Sequence, residues 1–254
     1  SFDEAVNQVQ EILIANPKDI KAYRLLSRNY FAQGLYDMSM LCAEKANEFA
    51  EGDPSISNNI GVTFLKKKLE PEAIATFQVA LEKDPTNLEA NLNLGFLSLN
   101  SGNYNLAQTK FEAALQTSPD NLDAKIGMAI ALRGNKDYNG AAKLYTSILK
   151  SENTSKLVYF NAATFYEMYK KDYTKAESLL KQYQSTNPED TEVLDRLARV
   201  QQSQAEEEAR IREEKRLAKE KAEREERQRK EFEKLKVSAG TANAKYETLK
   251  NCEA

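Results

Sequence analysis

The chain has 254 residues, with 36 Lys and Arg against 39 Asp and Glu, a net charge of −3, two cysteines and no histidine. That balance excludes a strongly basic nucleic-acid binder on overall charge, and the lack of histidine excludes a Ser-His-Asp triad and every His-ligated metal site. Cys42 and Cys252 make neither a cysteine zinc site nor a disulfide framework, and no apolar run of about 18 residues is present to cross a membrane as a helix.

In chain order, the first segment, 1–19, carries one helix-period stretch. Ala5, Val9, Ile12 and Pro17 fall at the offsets of Ala107, Phe111, Ala114 and Pro119 further on. This segment therefore reads as the second helix of a repeat whose first helix lies upstream. No signal segment is visible, and with an upstream part expected both a cytoplasmic and a bacterial periplasmic location stay open.

From residue 20 the sequence is periodic. Pro17, Pro85, Pro119 and Pro188 are separated by multiples of 34, with one extra residue in the last interval. Ser39, Ala73, Ala107 and Ala141 step by 34 and Ala176 follows at 35. Five units result: 20–53, 54–87, 88–121, 122–155 and 156–190. Each holds two helix-period apolar stretches around a short break, where Gly34 and Gly102 supply a left-handed residue. Ser27, Gly61, Gly95 and Ala129 keep one helix surface small so that its partner helix can approach. Phe77, Phe111, Tyr145 and Leu180 are expected to wedge between units, whereas the first unit has Ala43 in place of the aromatic. A single helix pair cannot bury such faces, but stacked pairs can. The fifth unit places Thr164 at the small position and is rich in aromatics, among which Tyr166 and Tyr169 are expected to be exposed.

Residues 191–204 form a further helix whose Val193, Leu194, Leu197 and Val200 can cap the last unit. Residues 205–236 then hold 11 Glu and 12 Lys or Arg in 32 positions. Their few apolar residues keep no heptad. Glu206–Arg210, Glu208–Arg212, Glu220–Arg224, Glu223–Arg227, Glu225–Arg229 and Glu226–Lys230 are spaced for i,i+4 ion pairs, which predicts a charged single-helix arm. A net charge of +1 on the arm leaves little for phosphate neutralisation, so nucleic acid is not the expected partner. Residues 237–254 read as a breaker and a weakly helical tail, in which Cys252 is expected to be reactive and not paired with Cys42.

The 34-residue pattern resembles the tetratricopeptide repeat family. The third unit matches best, with Leu94-Gly95, Tyr104, Ala107, Phe111, Ala114 and Pro119. The second carries Ile60-Gly61, Phe64, Ala73, Phe77, Ala80 and Pro85. The resemblance implies an all-α fold: a right-handed superhelical array of antiparallel helix pairs, an α-solenoid, followed by the long charged C-terminal helix. It also implies which positions of each first helix point into the concave groove. In the first unit these are Lys21, Arg24 and Arg28. In the second they are Asn58, Val62 and Lys66, and in the third Leu92, Phe96 and Leu99. The fourth gives Ile126, Ile130 and Arg133, and the fifth Phe165 and Tyr169. The implied groove is basic at its N-terminal end and apolar in its middle. The chaperone-binding clamp of some family members maps onto Arg24, Arg28, Asn59, Glu89 and Asn93. Glu89 reverses a required positive charge, so that subclass is not expected.

The resulting expectation is a protein–protein interaction scaffold or adaptor that binds a peptide or amphipathic helix of another protein in the groove. The family's bacterial members suggest an envelope, secretion or motility assembly. Self-assembly into a homo-oligomer through the repeat ends or the charged helix is the alternative. No catalytic constellation, cofactor or metal site is expected, and no enzyme activity.

Overall fold

In the computed structural model, which describes residues 2–50, 52–150 and 155–252, every regular element is helical. Helix α1 (Phe2–Ala15) leads into α2 (Ile20–Ala32) and α3 (Tyr36–Phe49), then α4 (Pro54–Lys66) and α5 (Glu70–Lys83). Next come α6 (Leu88–Asn100) with α7 (Tyr104–Thr117), and α8 (Leu122–Gly134) with α9 (Tyr138–Ile148). The remainder is α10 (Lys156–Phe165), a π turn (Tyr166–Lys170), α11 (Tyr173–Thr186) and α12 (Thr191–Cys252).

Short polar residues fix where the first helix of each pair begins. Asp19, Asp53, Asn87 and Asn121 recur once per repeat, and each accepts a hydrogen bond from a backbone N–H of the first turn at 2.8–3.0 Å. Such a cap satisfies one orphan donor and contributes about 1 kcal/mol. The break inside each pair is equally regular. Gly34, Lys68, Gly102, Lys136 and Lys171 all have φ between 54° and 76°. Sequence reading identified only the two glycines, because lysine carries no signal for a left-handed backbone.

The chain divides into two compact units, Ser1–Tyr159 and Phe160–Ala254. In the first, Ala73, Ala107 and Ala141 are fully buried, as are the rings of Phe77, Phe111 and Tyr145. Small residues make room for those rings. A Cβ on Gly61 would fall 2.5 Å from the Phe77 ring, and Cβ atoms on Gly95 and Gly127 would fall 2.7 and 2.3 Å from that of Phe111. Phe111 of α7 is therefore held between the backbones of α6 and α8, which joins one pair to the next. At the N-terminal end, Val9 of α1 is buried with Ala22, Leu26 and Cys42, and burial pushes the Cys42 thiol pKa up.

In the second unit the π turn explains the 35-residue interval. The Lys171 N–H donates to the Tyr166 carbonyl five residues back, so the turn absorbs one extra residue within the helix. With the insertion placed there, α10 keeps the 34-residue register. The buried Ala163 then takes the small position of Ala129, in place of Thr164, and Phe165 takes the position of Ala131.

Helix α12 begins by sealing α11 with Val193, Leu197 and Val200, all buried, and runs 62 residues, about 90 Å at ~1.5 Å per residue. The expected break near residue 237 does not occur. The Ser238 and Thr241 hydroxyls bond back to carbonyls within the helix, and one glycine costs only about 1 kcal/mol in a helix interior. The arm's ion pairs form partly as spaced. Glu208–Arg212, Glu223–Arg227 and Glu226–Lys230 are present. Arg210 turns instead to Glu207 and Glu214, Glu220 to Arg216 and Glu225 to Lys221. Arg210 and Arg216 each pair with a carboxylate on both sides. The side chain of Cys252 lies outside the described residues.

Candidate partner-binding surface

The surface built by α2, α4, α6 and α8 is the one the sequence points to. Lys21, Arg28 and Lys66 are exposed on it. Arg24 is half-buried and donates to Asp53 at 3.3 Å. Burial raises the Asp53 pKa, but hydrogen bonds from the Ser55 hydroxyl and amide, with the Arg24 charge, outweigh that and hold it below the usual 3.8. Val62, Leu92, Leu99, Ile130 and Arg133 are half-buried. Phe96 is 36% exposed, its ring edge-on to Phe111 with centroids 5.1 Å apart.

Three expected groove residues are interior instead. Asn58 is 8% exposed and its side-chain oxygen accepts from Asn93 at 2.9 Å, which ties α4 to α6. Ile126 is 4% exposed because Ile148 and Val158 close over it. Phe165, in the second unit, is fully buried for the register reason given above. Tyr166 is also buried, while Tyr169 is 38% exposed and stacks on Phe165 with centroids 6.3 Å apart. In the corrected register the fifth-repeat counterparts of Ile130 and Arg133 are Thr164 and Glu167, both half-buried.

Two concavities were not foreseen. In the first unit, Ser27, Arg28, Phe31, Ser39, Asn59, Val62 and Thr63 line a cavity of about 170 Å³. In the second, Thr164, Glu167, Met168, Arg196 and Arg199 contribute to a cavity of about 370 Å³. Arg196 lies over the Phe160 ring at 4.2 Å and donates to Thr164 at 3.3 Å, and Glu167 accepts from Ser203 at 2.8 Å. The first cavity lies in the repeat that has Ala43 at an otherwise aromatic position. The second depended on placing the inserted residue. Among the described residues no cluster of three acidic or cysteine side chains is placed to hold a metal ion, and no helix is long and apolar enough to cross a membrane.

Comparison with known proteins agrees with this geometry. Residues 98–159 match one tetratricopeptide repeat model and residues 76–109 another. BBSome complex member BBS4 of Bos taurus is 28% identical over 109 residues, 43% of this chain and 21% of that protein; the chain spans about a fifth of that relative's length. Among solved structures, pilF of Pseudomonas aeruginosa aligns with a TM-score of 0.66 at 18% identity, covering 78% of this chain and 90% of its own. YrrB, described as a TPR protein with an unusual peptide-binding site, aligns at 0.60 and 17% identity over 74% and 96% of the two chains. At such identities the structural likeness establishes the fold.

Proposed function

We propose that this chain, a tetratricopeptide repeat protein and so a scaffold for protein–protein interaction, holds a peptide or amphipathic helix of a partner along α2, α4, α6 and α8. Proteins of this kind are in general non-enzymatic scaffolds. The observation that carries the reading is Phe96. Its ring is exposed midway along four parallel first helices, rests against the buried Phe111 ring and has half-buried Leu92 and Leu99 one turn to either side. An aromatic held in one orientation loses little entropy on binding and serves as an anchor. The basic N-terminal end, with Lys21, Arg28 and Lys66 exposed, favours a partner segment with acidic residues at that end. The context read from the family is a bacterial envelope, secretion or motility assembly.

A photoreactive phenylalanine analogue placed at position 96, and in a second variant at the exposed Val79 of α5, tests the reading in cells of the native organism. Adducts to one partner from position 96 and none from position 79 are expected. Phe96→Glu should abolish capture while helicity is retained, with a modest fall in melting temperature from the lost edge contact with Phe111. Ile130→Glu should also destabilise the protein, because Ile130 packs on the buried Ile126, Ile148 and Val158. Crosslinking from position 79 alone would move the binding surface to the opposite helices.

A further inference from the structure

The first repeat departs from those that follow at one interior position. Phe77, Phe111 and Tyr145 hold the same position in successive repeats and are fully buried, and the first repeat has Ala43 there. In the third repeat the ring lies between Gly95 and Gly127. Two repeats earlier, the counterparts of those two glycines are Ser27 and Asn59. Both line the cavity of about 170 Å³. The cavity is thus bordered by the residues that flank a ring elsewhere, and its volume is close to the roughly 150 Å³ that takes up benzene when the walls are apolar.

Its chemistry is more specific than its size. The buried hydroxyls of Ser27 and Ser39 lie 3.2 Å apart and bond to each other. That bond uses one of their two O–H donors, and among the described residues the other has no protein acceptor. Thr63 also lines the wall, its own hydroxyl donating to the Asn59 carbonyl. Phe31 and Val62 supply apolar sides, and Arg28 is the exposed member of the lining. Arg28 makes no ion pair among the described residues, whereas its neighbour Arg24 is engaged by Asp53.

We propose that this cavity is a recognition pocket for a tyrosine side chain set in an acidic stretch of the partner segment. The ring enters the cavity, the phenol hydroxyl bonds the Ser27–Ser39 pair, and a flanking carboxylate pairs with Arg28. The assignment rests on the reading that the partner lies along α2 to α8.

The test uses the full chain and 4-hydroxyphenylacetate, which joins a phenol to a carboxylate, with the uncharged 4-cresol as second probe. Titration into isotope-labelled protein should give saturable amide shifts at Ser27, Ser39 and Thr63 in the millimolar range. Arg28→Gln should weaken 4-hydroxyphenylacetate about three- to fivefold and leave 4-cresol unchanged. Ser27→Gly combined with Ala43→Phe copies the second repeat, where Phe77 lies over Gly61. It should abolish the shifts for both probes while helicity and melting are retained. Absence of saturable shifts in the wild-type protein would mean a water-filled cavity and overturn the proposal. Equal weakening of both probes by Arg28→Gln would overturn the carboxylate assignment. Position-96 crosslinking is scored in the Ser27→Gly/Ala43→Phe variant as well. Adducts that persist there at wild-type yield, with no shifts in the wild-type protein, would refute the pocket and leave the groove standing.

Discussion

Gly127→Ala gives the most direct test of how the repeats are joined. A Cβ there would lie 2.3 Å from Cζ of Phe111, against about 3.5–4.0 Å for a relaxed carbon contact. The ring cannot retreat, because the space for a Cβ on Gly95 is only 2.7 Å from its other side and the Phe96 ring stands edge-on 5.1 Å away. Overpacking of this kind costs about 1–3 kcal/mol, and the upper end applies where both neighbours are backbone. Replacing a helical glycine by alanine returns about 1 kcal/mol of helix propensity. The net expectation is a loss of about 1–2 kcal/mol. Gly240→Ala is the control: it is helical with no atom near its Cβ, and only the propensity gain remains. Repeat arrays need not unfold in one step, so denaturation should be read together with amide exchange in α6, α7 and α8. In a Phe111→Leu background the Gly127→Ala penalty should shrink by more than about 1 kcal/mol, since the two sites share one contact. If Gly127→Ala alone stabilises the protein as Gly240→Ala does, the ring does not lock α7 between α6 and α8.

Two further outcomes follow from the backbone and the caps. Lys136→Gly should raise stability by a few tenths to about 1 kcal/mol, because it relieves the cost of a left-handed lysine while adding glycine's unfolded-state entropy; Gly102→Ala, whose Cβ would meet open space, should lower it, and a thermal melt reads both signs. Asp53 has a lowered pKa when folded, so the unfolded state binds the proton more readily; its contribution is complete above the ordinary carboxylate range and lost as pH falls through the folded value, and Asp53→Asn should flatten that part of the acid-unfolding curve.

The repeat period, the pairing of helices and the charged arm were legible because each depends on residues recurring at a fixed interval, and stacking makes every repeat answer to the same packing demand. The left-handed breaks were half legible. Gly34 and Gly102 announce the conformation, whereas Lys68, Lys136 and Lys171 adopt it because the helices on either side impose it. The reading of residues 237–254 as opening on a breaker failed for a related reason. Gly240 acts against a helix already nucleated well upstream of it, and Ser238 and Thr241 hydrogen-bond within it rather than ending it.

For the candidate surface, the sequence carries the direction of each side chain from its helix and not its exposure. One register position of the first helices runs Arg28, Val62, Phe96, Ile130 and, with the π turn absorbing the insertion, Thr164. Along the first four the side chains stay exposed or half-buried, so this row can face a ligand. The row one turn earlier, Arg24, Asn58, Leu92 and Ile126, alternates between half-buried and buried. Its accessibility is decided by neighbouring helices: Ile148 of its own pair and Val158 of the next cover Ile126, and Asn93 of the next pair bonds Asn58. Helical periodicity specifies the direction in which a side chain leaves its own helix. Whether it then meets solvent depends on the residues of the neighbouring helices, and the first repeat, with Ala43 where later repeats hold a ring, has a cavity beside Arg28 and Val62.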